Sequence, residues 1–427
     1  MFRSRENEIA LRAHALLMAV LLLFGVASTR AASGADRTAI VDQRPEGLTG
    51  ANWQFGPLNR WAYTHLGEIL PSKMIRHDPE RVVPLPGLEA ASDDLSIRIY
   101  GERTSLATQV GPLFIDGVLV LHRGRAILER YDGTLTPERT HLLWSVSKTI
   151  TGLIAASVAA DGLIDLDHRV ADYVPELAAS GWGLDTLRNV LDMRDGSAWT
   201  EDYDAPDSTV RRQDCADGLL TGPDCAGIPV TGNYAFLPGV GRNAKRVGQF
   251  VYKSGSTDAT AWVLEAATGK RFADLVAQRL WQPMGAERDA GISVDVSGFT
   301  LASGGMHATL RDVARVGQLM LNRGRVDEQQ VIPTAWLDDV FSDTGTRQWP
   351  EQADEGTRPY YRSFVWGLGD GRGTVLAEGV HGQVIFVSPQ TETVIVVLSS
   401  WPEPVGSLEG RLFTLLRAIE DAVVTSR

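Results

Sequence analysis

The stretch Trp144-Ser145-Val146-Ser147-Lys148-Thr149-Ile150-Thr151-Gly152 constrains this chain more than any other. It holds the protein's only Ser-x-x-Lys tetrad and runs directly into an apolar helical pattern at Ile150, Leu153, Ile154, Ala155, Val158 and Ala159. Residues three apart on a helix share a face, so the Ser145 hydroxyl and the Lys148 amine fall within hydrogen-bond reach. If Ser145 also opens the helix, its N–H lacks an intrahelical acceptor and lies at the positive end of the helix dipole, where an oxyanion is favoured. Nucleophile, base and anion site then occupy one turn, as acyl transfer requires. A bare tetrad also arises by chance, so its context has to decide.

That context reads as alternating β and α segments. Residues 118–121 and 126–131 alternate around a turn at His122-Arg123-Gly124-Arg125, which predicts a hairpin leading into the Ser145 helix. Asp161-Gly162 ends that helix. A short helix is expected over 186–193, a long loop over 196–245, and a further helix over 257–267 just after Tyr252-Lys253-Ser254. A glycine-punctuated strand at 375–387 pairs with one at 393–398, and a helix over 405–423 should cover the sheet. Residues 59–66 suggest an amphipathic turn or helix, and Pro71, Pro79, Pro84 and Pro86 break up the stretch beyond it, so residues 32–110 are read as an extension wrapping the main body.

With 427 residues, 44% of them hydrophobic, the chain can bury a large core. Forty-one Lys and Arg against 53 Asp and Glu give a formal charge of −12, which argues against nucleic acid or an anionic membrane surface as a partner. Arg3, Arg5 and Arg12 precede an apolar run over residues 15–27, and small residues come next, which predicts a signal peptide over 1–31 cleaved after Ala31. The mature protein would be periplasmic or secreted; a segment 15–27 left uncleaved would instead anchor it to a membrane. Cys215 and Cys225, in a Gly/Asp/Pro-rich segment, would form a local disulfide in such a compartment, the other reading being two free thiols. No His-Glu-x-x-His, Cys/His cluster or phosphate loop is present, so neither metal nor cofactor is expected.

Tyr252 would sit at the mouth of a helix near Lys148. A phenol with a lysine neighbour loses its proton more readily and could take the Ser145 proton and pass it to a leaving group; the alternative is a core tyrosine with a satisfied hydroxyl. Glycines in the strand Glu378-Gly379-Val380-His381-Gly382 mark a close backbone approach, so an N–H there could complete an oxyanion hole with that of Ser145.

The three stretches in this order, with Gly162-Leu163-Ile164-Asp165, Leu191-Asp192-Met193, Pro283-Met284-Gly285 and Gly304-Gly305-Met306, resemble the serine β-lactamase and penicillin-binding protein superfamily, in its class C-like branch of esterases and amidases. Asn59-Arg60-Trp61, Glu201-Asp202-Tyr203 and Gly379-Val380-His381-Gly382-Gln383 look like the aminohexanoate-oligomer hydrolases within it. The resemblance implies an α+β, β-lactamase/transpeptidase-like fold. An antiparallel sheet is flanked by helices within a domain over 111–427, with a helical lobe inserted at about 161–290. It also implies that Ser145 is the acyl nucleophile, Lys148 its base and Tyr252 the tyrosine of Tyr-x-Asn. The Lys-Thr-Gly strand falls on Ala377-Glu378-Gly379, giving Val380 N–H as second oxyanion donor. Tyr203 matches a loop tyrosine that reaches an amide leaving nitrogen, and Asp214 an acid that meets a substrate ammonium. Ser254, Gly379 and His381 would line the site, His381 in a structural place.

Two departures bear on substrate. Ala377 replaces the cation that would hold a β-lactam or peptide carboxylate, and Ser254 replaces the Asn of Tyr-x-Asn, which offers both amide donor and acceptor. An ester or simple amide fits these changes better. The expected function is therefore an exported serine hydrolase of small esters or linear amides. The alternatives are a β-lactamase or D-Ala-D-Ala carboxypeptidase-type protein, or a non-catalytic envelope binding protein, which would have no need of Ser145, Lys148 or Tyr252. Sequence leaves the oligomeric state open.

Overall fold

The hairpin expected at residues 118–131 closes one end of a seven-stranded antiparallel sheet in the computed structural model of the protein, which describes residues 42–342 and 358–425. The expected signal or anchor segment lies outside the described residues. Strands β1 (Ile115–His122) and β2 (Arg125–Tyr131) form one edge, and β3 (Tyr360–Arg362), β4 (Val365–Gly367), β5 (Val375–Gly379), β6 (Gln383–Ser388) and β7 (Thr393–Ser399) complete the order β3-β4-β5-β6-β7-β1-β2. Register sorts the side chains. Val120 lies opposite Ile395, and Ile395 opposite Phe386, so these three share one face, while Leu119, Val396 and Ile385 share the other.

Helices cover both faces. Those that position the site are α1 (Val146–Ala160), α2 (Thr209–Asp217), α3 (Ser254–Thr268), α4 (Leu310–Leu321) and α5 (Leu408–Thr425). Leu412, Leu415, Leu416 and Ile419 of α5 pack on the Val120 face, and α1 and α4 share a larger core with Leu119, Ile385 and Val396. Helix α1 is buried on nearly every side, as expected of a helix apolar all round. At Gly152 a Cβ would press on the Ser363 carbonyl, so only glycine lets α1 approach this segment so closely.

Trp53, Trp61, Tyr63 and Leu66 bury themselves against Leu142, close in sequence to Ser145. Asn59 Nδ2 donates to the Trp401 carbonyl at 2.7 Å, and Arg60 pairs with the buried Asp116 at 2.7 Å. Only one turn of helix forms there, Asn59–Ala62.

Other expectations need correction. The expected long loop over 196–245 contains α2, whose polar sequence hides its helical period; the Ser208 side chain accepts from Arg211 N–H and caps it. Cys215 of this helix is disulfide-bonded to Cys225, as expected. The helix expected over 186–193 spans only Leu187–Leu191, with the Thr186 side chain accepting from Asn189 N–H. Helix α3 begins three residues earlier than expected, and α5 begins at Leu408, after Gly406.

Candidate active site

Ser145 is the N-cap of α1, and the preceding Trp144 adopts a left-handed backbone (φ 46°) that turns the chain sharply into the helix. Lys148 Nζ donates to Ser145 Oγ at 2.7 Å and to the Ser303 carbonyl at 2.7 Å. Burial draws the Lys148 amine down to about 8, against the opposing pull of Glu201, Asp258 and Asp214. Asp258, on α3, accepts from Ser303 N–H at 2.9 Å and from its hydroxyl at 3.0 Å, which fixes the carbonyl that receives Lys148. Ser303 directly precedes Gly304-Gly305-Met306, but nothing in its own sequence signalled this role.

Tyr252 stacks on Trp366 with ring centroids 5.3 Å apart, and Lys148 Nζ lies 5.2 Å from the Tyr252 ring centroid. The Ser145 side chain lies near enough to its hydroxyl to favour the ionised phenol. Burial, followed by the Glu201 charge, pushes the phenol upward, although the Ser145 contact opposes this. A lysine neighbour alone would move it the opposite way; the desolvation of a ring packed against Trp366 and Tyr361 outweighs that expectation. The next residue, Lys253, is buried with its Nζ 2.9 Å from Asp195 Oδ1, which anchors the segment.

Glu201 gathers the other side of the site. Its carboxylate accepts from Ser254 N–H at 2.8 Å, from the Tyr203 hydroxyl at 2.9 Å, and from the Ser254 hydroxyl. In the sequence Glu201 stands out only as a neighbour of Tyr203. Its partner Ser254 is 53 positions away, and no local spacing connects them.

Strand β5 supplies the remaining wall. A Cβ on Gly379 would lie 2.7 Å from the Leu143 carbonyl and 3.0 Å from Ser145 N, so the strand end passes directly against the Ser145 turn. Val380 comes next. Neither the Ser145 nor the Val380 N–H is taken up by a backbone carbonyl in the described turns and loops. His381 is structural: its N–H donates to the Pro404 carbonyl at 2.8 Å, its Nδ1 lies 2.7 Å from the Trp401 carbonyl, and its ring stacks on Trp144. Burial takes it down to about 4, so near neutrality it is uncharged and Nδ1 carries the proton donated to Trp401.

Two clefts meet at Ser145. The first is lined by Trp53, Trp144, Tyr203, Asp214 and Val380, and the second by Tyr203, Tyr252, Trp366, Glu378 and Val380. Asp214 lies 3.5 Å from Arg211; burial lifts its carboxyl to about 7, with Arg211 opposing and Glu201 and Asp258 adding to the rise. Trp53 reaches the first cleft from the extension, a contribution its sequence did not announce. Among the described residues no group of three His, Cys, Asp or Glu side chains is arranged to hold a metal ion.

The beta-lactamase family profile matches residues 115–418, which carry both β1 and the Ser145 turn as well as β5. This chain belongs to the beta-lactamase family. Within it, the 6-aminohexanoate-dimer hydrolase of Paenarthrobacter ureafaciens is 38% identical over 363 residues, 83% of this chain and 88% of that protein. A 6-aminohexanoate-dimer hydrolase homologue from Bacillus anthracis superposes with a TM-score of 0.80 at 26% identity, over 89% of this chain and 98% of that one. EstCE1, a hydrolase with promiscuous acyltransferase activity, shares the fold at a TM-score of 0.57 and 18% identity, over 75% of this chain and 98% of its own. The family member described here is a β-lactamase-related serine hydrolase with an α+β, transpeptidase-like fold.

Proposed function

We propose that the protein hydrolyses linear amides and esters through an acyl-enzyme on Ser145. The observation that carries this reading is the 2.7 Å contact between Lys148 Nζ and Ser145 Oγ at the head of α1. Neutral Lys148 takes the Ser145 proton as Oγ bonds to the substrate carbonyl carbon. The N–H groups of Ser145 and Val380 receive the oxyanion. The C–N or C–O bond then breaks, and the proton passes through the Tyr252 hydroxyl to the departing nitrogen or oxygen. Water adds to the acyl carbon, giving its proton to Lys148, and Ser145 Oγ leaves and is reprotonated. Because Tyr252 stays protonated, it acts as a relay and donor rather than as a phenolate base.

Tyr252 lines only the second cleft, so that cleft takes the leaving group and the first takes the acyl part. Tyr203 borders both and is positioned by Glu201 to assist a leaving nitrogen. Asp214, in the acyl cleft, is the group that would meet a terminal ammonium there. The name of the 38%-identical relative, a 6-aminohexanoate-dimer hydrolase, supports this choice over a β-lactam. So does Ala377, which is buried in the core and leaves no cation at the usual carboxylate anchor. We also propose export to an oxidising compartment, which the Cys215–Cys225 disulfide supports.

A panel of a short-chain chromogenic ester, a chromogenic cephalosporin and a linear aminohexanoate dimer tests the reading. Turnover of ester and dimer, abolished in Ser145→Ala, is expected. Dominant cephalosporin turnover, or full activity in Ser145→Ala, would overturn it.

A further inference from the structure

The leaving-group cleft carries an unusual charge distribution for a site that must receive part of every substrate. Its floor is Ser145 and its wall is the stacked Tyr252–Trp366 pair. Two further carboxylates face it, Glu378 from β5 and Glu409 from the first turn of α5, and no Lys or Arg among the described residues lines it. The Glu201 carboxylate is already committed to Ser254 and Tyr203. Glu378 and Glu409, by contrast, have no cationic partner among the described residues. The two are close enough to repel: Glu409 adds to the burial that lifts the Glu378 carboxyl to about 7, and Glu378 in turn raises Tyr252.

We infer that the cleft bounded by Glu378, Glu409 and the Tyr252–Trp366 pair is a subsite for a positively charged leaving group. Its ligand would be an alcohol or amine bearing an ammonium a few bonds from the scissile oxygen or nitrogen. An ammonium there meets an aromatic wall and two carboxylates with no counter-ion among the described residues, a combination that favours alkylammonium ions. A leaving group ending in a carboxylate meets the same two charges with the opposite sign and no cation to receive it. This inference rests on the assignment of the cleft to the leaving group in the proposed mechanism. It adds that the enzyme discriminates among leaving groups by charge, and that an aminohexanoate dimer, whose departing half ends in a carboxylate, is a poorer substrate than an amide whose departing half ends in an amine.

The test compares three butyrate esters that share an acyl group: the trimethylammonioethyl ester, its uncharged 3,3-dimethylbutyl isostere, and the 2-carboxyethyl ester. Each kcat/KM is measured at about pH 8, where Glu378 is mostly ionised, and is divided by the ester's hydroxide-catalysed rate. The wild type should prefer the ammonium ester over the isostere by about tenfold, and the isostere over the carboxylate ester by a similar factor. In Glu378→Gln and in Glu409→Gln the first ratio should fall towards one. A wild-type measurement covers the case of variants that do not fold: choline should inhibit hydrolysis of the uncharged ester competitively, at concentrations about tenfold below those needed with 3,3-dimethylbutanol. Equal ratios in wild type and both variants, or equal inhibition by the two alcohols, would overturn the inference. Failure of the underlying mechanism looks different, since Ser145→Ala would then still hydrolyse the uncharged ester.

Discussion

The buried lysine predicts a particular pH profile. Lowering the Lys148 amine from its ordinary value of 10.5 to about 8 corresponds to roughly 3 kcal/mol against its charged form. Only the neutral amine can accept the Ser145 proton. With a value near 8, about one-tenth of the enzyme is competent at pH 7 and about one-hundredth at pH 6. For an uncharged short-chain ester, kcat/KM should therefore rise about tenfold per pH unit and level off above about pH 8. Lys148→Arg keeps a cation that does not titrate in this range, and should lose about 10²- to 10⁴-fold at every pH. Stability carries the same signature. Between about pH 8 and the ordinary lysine value of 10.5 the unfolded chain binds a proton at this residue that the folded chain does not, so this group makes folding more favourable as pH rises through that window. Below about pH 8 both states are protonated and the full cost of the buried charge is present. Initial-rate measurements from about pH 6 to pH 9 decide the matter. A flat kcat/KM over that range, or a Lys148→Arg enzyme within about threefold of wild type, would refute the assignment of Lys148 as base.

Glu201→Gln removes a charge that raises Lys148, so the acid limb of the same profile should move to lower pH; a limb that stays put or moves up would show that Glu201 does not act on Lys148. Glu201→Ala leaves the Tyr203 hydroxyl and the Ser254 N–H and hydroxyl without their acceptor, and should cost about 2–4 kcal/mol in denaturant unfolding. Gly379→Ala forces a methyl against Leu143 O and Ser145 N. It should lower kcat by at least about tenfold while circular dichroism stays native, because the displaced strand end carries an oxyanion donor. Reducing the Cys215–Cys225 bond reopens a loop with a sequence separation of 10, and should lower unfolding free energy by about 3 kcal/mol, read from urea midpoints with and without reductant.

The range of each interaction decides whether sequence reveals it. The α1 turn was readable because Ser145 and Lys148 are joined by local helix geometry and lead into an apolar run that only burial explains. The hairpin of β1 and β2, and the β6–β7 pair, were readable for the same reason: alternation and short turns are local. Helix α2 was not, because it is stabilised by its Ser208 cap, its disulfide and its place over the cleft rather than by an apolar stripe. Glu201, Ser303 and Trp53 were missed as members of the site. Each reaches it from a segment whose position is set by distant packing, and an acid, a serine or a tryptophan in a loop has no periodic signal of its own. The direction of the Tyr252 shift was misjudged because proximity to a lysine can be guessed from motifs, whereas desolvation by the distant Trp366 and Tyr361 cannot.

The most direct test of the central claim is to trap the acyl-enzyme. The protein would be mixed with a slowly deacylated chromogenic ester, quenched in acid within a turnover, and measured by intact mass and by peptide mapping. One acyl group per chain, on the peptide containing Ser145 and absent from Ser145→Ala, is the predicted result. Steady-state turnover with no adduct at Ser145, or with the acyl group on another residue, would contradict the account.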